Sequence, residues 1–229
     1  MPIRLGMYDF SAMLQAPFHP GPGFALDTNH ELLHAKDALR QSVRAQLRAL
    51  TPDQCGKWSA EIVSQLMGND EWANSAGVVA LFGGFKNEPD LLPLLQWLRE
   101  RGLSAAFFAI EGKGLMSPYL VRGAEDLLAG KFGVLEPRRE AAAKLNVSDL
   151  GVVLTPGLAF GGNNGVRLGR GKGHYDRVFW NPECRALRVG VAFDVQIFPT
   201  VPDEPHDAPM QALVSESALR LIPAAAPPW

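Results

Sequence analysis

Short apolar runs alternate along this chain with amphipathic stretches, and that alternation limits its fold more than any single residue does. Gly77 to Phe82, Leu103 to Phe108, Gly151 to Leu154 and Leu187 to Phe193 are each short and rich in Val, Ala, Leu or Phe. Such runs suit strands buried on both faces of a sheet. From Glu31 to Leu50, Leu32, Leu33, Leu39, Val43, Leu47 and Leu50 recur at mostly helical spacing among basic residues, so an amphipathic helix is predicted there. Thr51-Pro52-Asp53 opens a second helix, with threonine as cap and proline in the first turn. Pro89 to Arg101 and His174 to Trp180 read as two more. Strands separated by helices imply an α/β fold, an open and mainly parallel sheet flanked by helices on both faces in a three-layer, Rossmann-like arrangement. Ligands of such sheets gather at the carboxyl ends of the strands.

The ends of the chain depart from this pattern. Met1 to about residue 30 carries four prolines, at positions 2, 17, 20 and 22, without sustained periodicity, and reads as an extension. Residues 31–222 form the predicted α/β domain, and the Ala/Pro-rich 223–229 a tail. The extension lacks the unbroken apolar block of a secretory signal. The apolar runs stop well short of the roughly 20 residues needed to cross a bilayer, so no membrane helix is expected. A formal net charge of -2 gives no overall attraction for nucleic acid, and any phosphate binding must be local. Cys55 and Cys184 sit in no C-x-x-C pair and read as reduced structural thiols of a cytoplasmic protein, monomeric or homodimeric.

The most informative stretch for function is Arg167 to Asp176, R-L-G-R-G-K-G-H-Y-D, in which alternating glycines carry two cations into a predicted helix. Backbone N-H groups approach an anion closely where no Cβ intervenes, and a helix start adds partial positive charge. Arg170 and Lys172 supply full charges, which suits a nucleoside polyphosphate, and Asp176 is placed to hold Mg2+ against phosphate oxygens. The spacing fits neither G-x-x-x-x-G-K-[ST] nor G-x-G-x-x-G. Spacing alone leaves a plainer reading open, a glycine-rich connector with exposed basic residues.

Pro156-Gly157-Leu158-Ala159-Phe160 followed by Arg167-Leu168-Gly169-Arg170-Gly171-Lys172-Gly173-His174-Tyr175-Asp176-Arg177 resembles the signature of the 5-formyltetrahydrofolate cyclo-ligase family, also called methenyltetrahydrofolate synthetases. Lys36 with Arg40, Glu88, Glu136-Pro137, Gly190 with Gln196, and His206-Asp207 follow the family's order, so the likeness covers roughly residues 32 to 220. The resemblance implies an ATP- and Mg2+-dependent ligase that converts 5-formyltetrahydrofolate to 5,10-methenyltetrahydrofolate, releasing ADP and phosphate. It implies an ATP site of Lys36, Arg40, Arg167, Leu168, Gly169, Arg170, Gly171, Lys172, Gly173, His174 and Tyr175, with Arg170 and Lys172 acting on the transferring phosphate. It also implies a folate site with Glu88, Met116 and Tyr175, and a metal pair of Asp176 and Asp207.

Taken without the resemblance, several of these residues have ordinary explanations. Lys36 and Arg40 share a helical face that Arg44 and Arg48 continue, and a basic face is usually just solvated. Glu88 suits the start of a following helix. Pro202 to Asp207 reads as an acidic loop. Phe82, Phe85, Phe107, Phe108, Met116 and Tyr119 are candidates for an apolar wall against a pterin ring, although aromatic residues on strands are mostly core. Several features depart from the family pattern: Gly161 stands where an aspartate is usual, Gly161 to Gly165 is one residue longer before Arg167, His174 replaces the first of two tyrosines, Gln211 stands where aspartate is frequent, and Val214-Ser215-Glu216 stands where V-T-E is usual. These departures keep two alternatives open, a divergent ATP-binding relative acting on another small substrate and a non-catalytic anion-binding protein.

Overall fold

In the computed structural model, residues 29–74, 77–130 and 133–223 are described. The helices are α1 (Asn29–Ala49), α2 (Pro52–Gly68), α3 (Leu94–Glu100) and α4 (His174–Phe179). The strands are β1 (Val78–Leu81), β2 (Ser104–Ile110), β3 (Met116–Val121), β4 (Leu127–Ala129), β5 (Leu135–Pro137) and β6 (Leu150–Pro156), then β7 (Ala159–Gly161), β8 (Arg167–Leu168), β9 (Leu187–Val191), β10 (Ile197–Phe198), β11 (Ala212–Val214) and β12 (Leu219–Leu221). Seven of them form the main sheet in the order β12-β11-β9-β6-β1-β2-β3. The five inner strands run parallel, while β3 and β12 close the edges antiparallel. Strand order reverses between β1 and β6. From β1 the chain moves to β2 on one side, then returns to place β6 on the other, which opens a crevice beyond the carboxyl ends of these two strands.

The period-2 alternation of each strand divides two cores of different character. Val79, Leu81, Ala105, Phe107, Val152, Leu154, Val189, Val191, Ala212 and Val214 face one cluster, into which α1, α2 and α3 press Val43, Leu47, Ile62, Leu66, Leu94 and Leu98. Ala80, Ala106, Val153 and Leu213 face the opposite cluster with Phe160, Val178, Phe179 and Met210. The expected α/β fold is therefore present, but its two outer layers are unequal. Three helices cover one face, whereas the other is covered by the short α4, the small sheet β10-β7-β8 and irregular chain. Small residues at Ala80, Ala106 and Gly190 let this thinner layer approach closely; a Cβ at Gly190 would lie 2.6 Å from the Phe160 ring.

The longest helices agree with the sequence reading. Thr51 caps α2 as expected, and a reciprocal pair of hydrogen bonds with Gln54 completes a capping box. Helix α3 begins five residues later than Pro89, because the backbone there is held otherwise: Ser59 Oγ accepts from Asp90 N-H at 3.0 Å, and Asp90 Oδ1 accepts from Leu92 N-H. Strand β9 stops before Phe193, whose N-H donates to Gln196 Oε1. Helix α1 starts at Asn29, within the stretch read as an extension; residues 1–28 and 224–229 lie outside the described residues. Both cysteines are free thiols, Cys55 buried and Cys184 half-buried. Among the described residues no helix is long and apolar enough to cross a membrane.

Candidate functional site

The loop after β8 lies at the β1/β6 crevice. Gly171 and Gly173 adopt φ of 96° and 61°, a left-handed backbone that side-chain-bearing residues rarely take, so the conformation itself favours glycine at these two of the three alternating positions. The backbone N-H groups of Arg170 to Gly173 donate to no other group among the described residues and remain available to an acceptor. Helix α4 has only six residues, so the loop's attraction for an anion rests on these amides and on its side-chain cations more than on a long helix dipole. Burial, then the charges of Arg177 and Lys172, pushes the His174 imidazole below its usual range, so it is neutral near pH 7 and adds no charge to the loop.

Arg167 and Asp176 form the buried anchor of this loop. Arg167 Nη2 donates to Asp176 Oδ1 and Oδ2 at 3.0 and 2.9 Å, and the guanidinium carbon lies 5.3 Å from the Tyr175 ring centre. Among the described residues buried Arg167 Nε has no partner, so the guanidinium retains an unused donor there. Asp176 gives both oxygens to Arg167 here. Burial raises the Tyr175 phenol far above its usual range, which keeps it protonated, and its ring packs edge-on against Phe108 at 5.7 Å.

The loop after β1 faces the same crevice. Glu88 is buried, and its Oε2 accepts from Phe85 N-H at 3.0 Å. Its other oxygen, Oε1, accepts from Arg170 Nη2 at 2.6 Å, and the Arg170 guanidinium lies 3.9 Å over the Phe85 ring. Two expected sites 82 residues apart are thus joined by one ion pair. Of the aromatic wall, Phe107 is core at 1% exposure, and Tyr119 is buried and donates its hydroxyl to Glu111 at 3.0 Å. Phe108, Met116 and Tyr175 are partly buried around the thinner core, beside α4.

Helix α1 brings Lys36 and Arg40 to the loops. Arg40 Nε donates to Gly169 O at 3.2 Å, tying α1 to the glycine loop. Lys36, 3% exposed, donates through Nζ to Glu204 Oε2 at 2.8 Å and Asp207 Oδ2 at 2.5 Å. That hydrogen bond holds the Glu204 carboxyl below its usual range. Among the described residues Arg44 and Arg48 have no such partners; Arg48 is exposed and Arg44 half-buried. Around Asp207 the metal-capable group is Glu204, His206 and Asp207, whose donor atoms lie within 4.8 Å of one another; Asp176 is not part of it.

Three positioning residues were given no role by the sequence reading, although Arg177 and Gln196 stood among its family-like residues. Arg177, on α4, donates through Nη2 to Gly114 O and Lys172 O, both at 2.8 Å, and so fastens the glycine loop to the β2-β3 hairpin. Gln196 is fully buried and donates to Gly157 O at 2.8 Å, which fixes the turn after β6. Asn164 answers the departure at Gly161. Its carboxamide oxygen occupies the place a Cβ at 161 would need, and its Nδ2 donates to Val201 O at 2.9 Å, at the root of the acidic loop. A side chain three residues downstream thus fills the space beside Gly161 and ties the β7-β8 connection.

A glycine-rich loop and a buried carboxylate meet at the switch point of an open α/β sheet, the place where ligands of such sheets bind. A family model described as the 5-formyltetrahydrofolate cyclo-ligase family matches residues 33–216, and the chain belongs to that family. The 5-formyltetrahydrofolate cyclo-ligase of Escherichia coli strain K12 is 31% identical over 180 residues, covering 76% of this chain and 97% of the relative. The mouse protein of the same name is 25% identical over 197 residues, covering 80% and 95%. Among solved structures, the 5,10-methenyltetrahydrofolate synthetase of Aquifex aeolicus matches with a TM-score of 0.71 at 30% identity, covering 83% of this chain and 94% of that one. That of Mycoplasma pneumoniae matches in fold, with a TM-score of 0.64 at 18% identity.

Proposed function

We propose that this protein converts 5-formyltetrahydrofolate to 5,10-methenyltetrahydrofolate at the expense of ATP. The observation that carries the reading is the junction of the glycine loop with Glu88, which would place a nucleotide phosphate beside a folate ring at one crevice. The γ-phosphate passes to the formyl oxygen as the bond to ADP breaks. The N10 nitrogen then attacks the formyl carbon, phosphate leaves with that oxygen, and the N10 proton departs with it. Phosphorylation is what turns the amide-like oxygen into a leaving group, and the transfer depends mainly on alignment and charge cancellation.

The residues divide accordingly. The amides of Gly169 to Gly173, with Arg167, Leu168, Arg170, Lys172, His174 and Tyr175, would cradle the polyphosphate, with Lys36 and Arg40 reaching it from α1. Arg170 and Lys172 would neutralise charge on the transferring group. Glu88 would hold the pterin, with Met116 and Tyr175 along its apolar side. The carboxylates of the acidic loop suit Mg2+, which takes oxygen ligands and shares them with phosphate. Glu204 and Asp207 both pair with the Lys36 ammonium, which supports a cation place in this loop, and Asp207 with Asp176 would hold the ion. Bound there, Mg2+ would supply charge neutralisation at the phosphate oxygens. His206 would shape this loop; Trp180 Nε1 donates to its carbonyl at 2.6 Å.

The test is turnover. Incubating the full chain with 5-formyltetrahydrofolate, ATP and Mg2+ should give the methenyl product, followed by its absorbance, and ADP in equal amount. ATP binding with no methenyl product at high enzyme concentration would contradict the proposal and favour a relative acting on another small substrate.

A further inference from the structure

Arg170 is a loop cation whose guanidinium has been drawn to the other half of the crevice. Its backbone belongs to the glycine loop, but its side chain, 40% exposed, reaches a Glu88 side chain that is only 5% exposed, and its guanidinium carbon lies 3.9 Å over the Phe85 ring centre. A planar N-C-N fork that donates to a carboxylate and stacks on an aromatic ring presents the same pattern as the 2-amino-4-oxopyrimidine edge of a pterin, which also offers adjacent N-H donors in a flat ring. In this structure Arg170 therefore stands where the folate edge would stand, against the same partners. Among the described residues Arg170 is the one cation paired with Glu88, and stripping a buried carboxylate of it would be costly, so Arg170 leaves easily only when something else draws it away and other donors replace it. A polyphosphate on the adjacent amides does the first, and a pterin does the second.

We propose that Arg170 couples the two substrate places: it closes the Glu88-Phe85 place in the absence of nucleotide, and it swings to the phosphates when nucleotide binds. The inference rests on the cyclo-ligase reading above and adds to it a preferred order, nucleotide before folate, with mutual tightening. Phe85, which the family resemblance did not single out, becomes part of the folate place. Because the coupling is a binding free energy, it must be reciprocal: nucleotide strengthens folate binding by the same factor as folate strengthens nucleotide binding.

Calorimetric titration of the full chain tests this without turnover. The affinity for 5-formyltetrahydrofolate is measured alone and in the presence of Mg2+ with a non-hydrolysable ATP analogue, and the titration is repeated in the reverse order. Wild-type protein should show tightening by a factor between about 5 and 100 in both directions. In Arg170→Ala, whose folding is checked by its thermal melt, folate should bind without nucleotide at least as tightly as to wild type, and the factor should fall towards one. Both ligands binding wild type with a factor of one would overturn the coupling alone. An Arg170→Ala variant that keeps the wild-type factor would do the same. A wild-type chain that binds no folate under either condition would overturn the cyclo-ligase reading and the coupling with it. Should Arg170→Ala fail to fold, the wild-type factor still decides.

Discussion

Replacing Asp176 with alanine should destabilise the ligand-free protein far more than removal of a surface acid would. Arg167 has 5% of its side chain exposed and Asp176 15%, so water can do little to solvate either charge once the partner is gone. Asp176 supplies both good acceptors of the guanidinium; among the described residues the only other acceptor, Pro156 O, is 3.5 Å from Nη1, and Nε has none. Leaving such a charge unpaired costs about 3–5 kcal/mol. For a domain of this size each kcal/mol moves the melting temperature by roughly 2–4 °C, so Asp176→Ala should melt roughly 6–20 °C below wild type. Urea unfolding monitored by tryptophan fluorescence gives the free energy directly. The double variant Arg167→Met, Asp176→Ala should recover much of the loss, because the stranded charge is gone. If Asp176→Ala lies within about 1 kcal/mol of wild type without ligand, an ordinary value for a surface change, Asp176 is no structural anchor and the reasoning from burial fails.

Three further outcomes follow from the same geometry. Gly161→Ala should cost about 1–3 kcal/mol, since its Cβ meets the Asn164 carboxamide, and the cost should shrink in an Asn164→Gly background; equal costs in both backgrounds would show that the two positions do not share that space. Glu204 has a depressed folded-state pKa because of Lys36, so its contribution is full above the unfolded carboxyl value of about 4.3 and is lost as pH falls through the folded value. Lys36→Met should therefore flatten the loss of stability on acidification below about pH 4.3, read by urea midpoints across that range; an unchanged slope would contradict the assignment. Gly171→Ala meets no atom within 4 Å, and its cost is strain at φ +96°, about 1–2 kcal/mol; in this exposed loop it should appear as roughly 5- to 30-fold weaker ATP-analogue binding with little change in melting temperature.

The parts of this protein that sequence made readable are those governed by local pattern. The helical spacing of Leu39, Val43 and Leu47 and the Thr51 cap placed both ends of α1 and the start of α2 to within two residues, because amphipathicity and capping are set by near neighbours. The runs around β1, β2, β6 and β9 were readable because inner parallel strands are apolar on both faces. The edges were not: β3 carries Ser117 and Pro118, and β11 and β12 are three residues each, too short to show a period. In the candidate site, the glycine loop was visible as a string, whereas the Arg170-Glu88 pair depends on two loops brought together by sheet order. Asn164 was hidden for a different reason. Its role follows from the space beside Gly161, and an Asn in a G-G-N-N-G turn looks like any other turn residue.

The most direct test of the account is a crystal structure of the full chain with Mg2+ and a non-hydrolysable ATP analogue. The account predicts the triphosphate on the backbone amides of Gly169 to Gly173, with Lys172 at its oxygens and Arg170 turned away from Glu88. A triphosphate bound elsewhere, with Arg170 still over Phe85 and the glycine amides facing solvent, would contradict it.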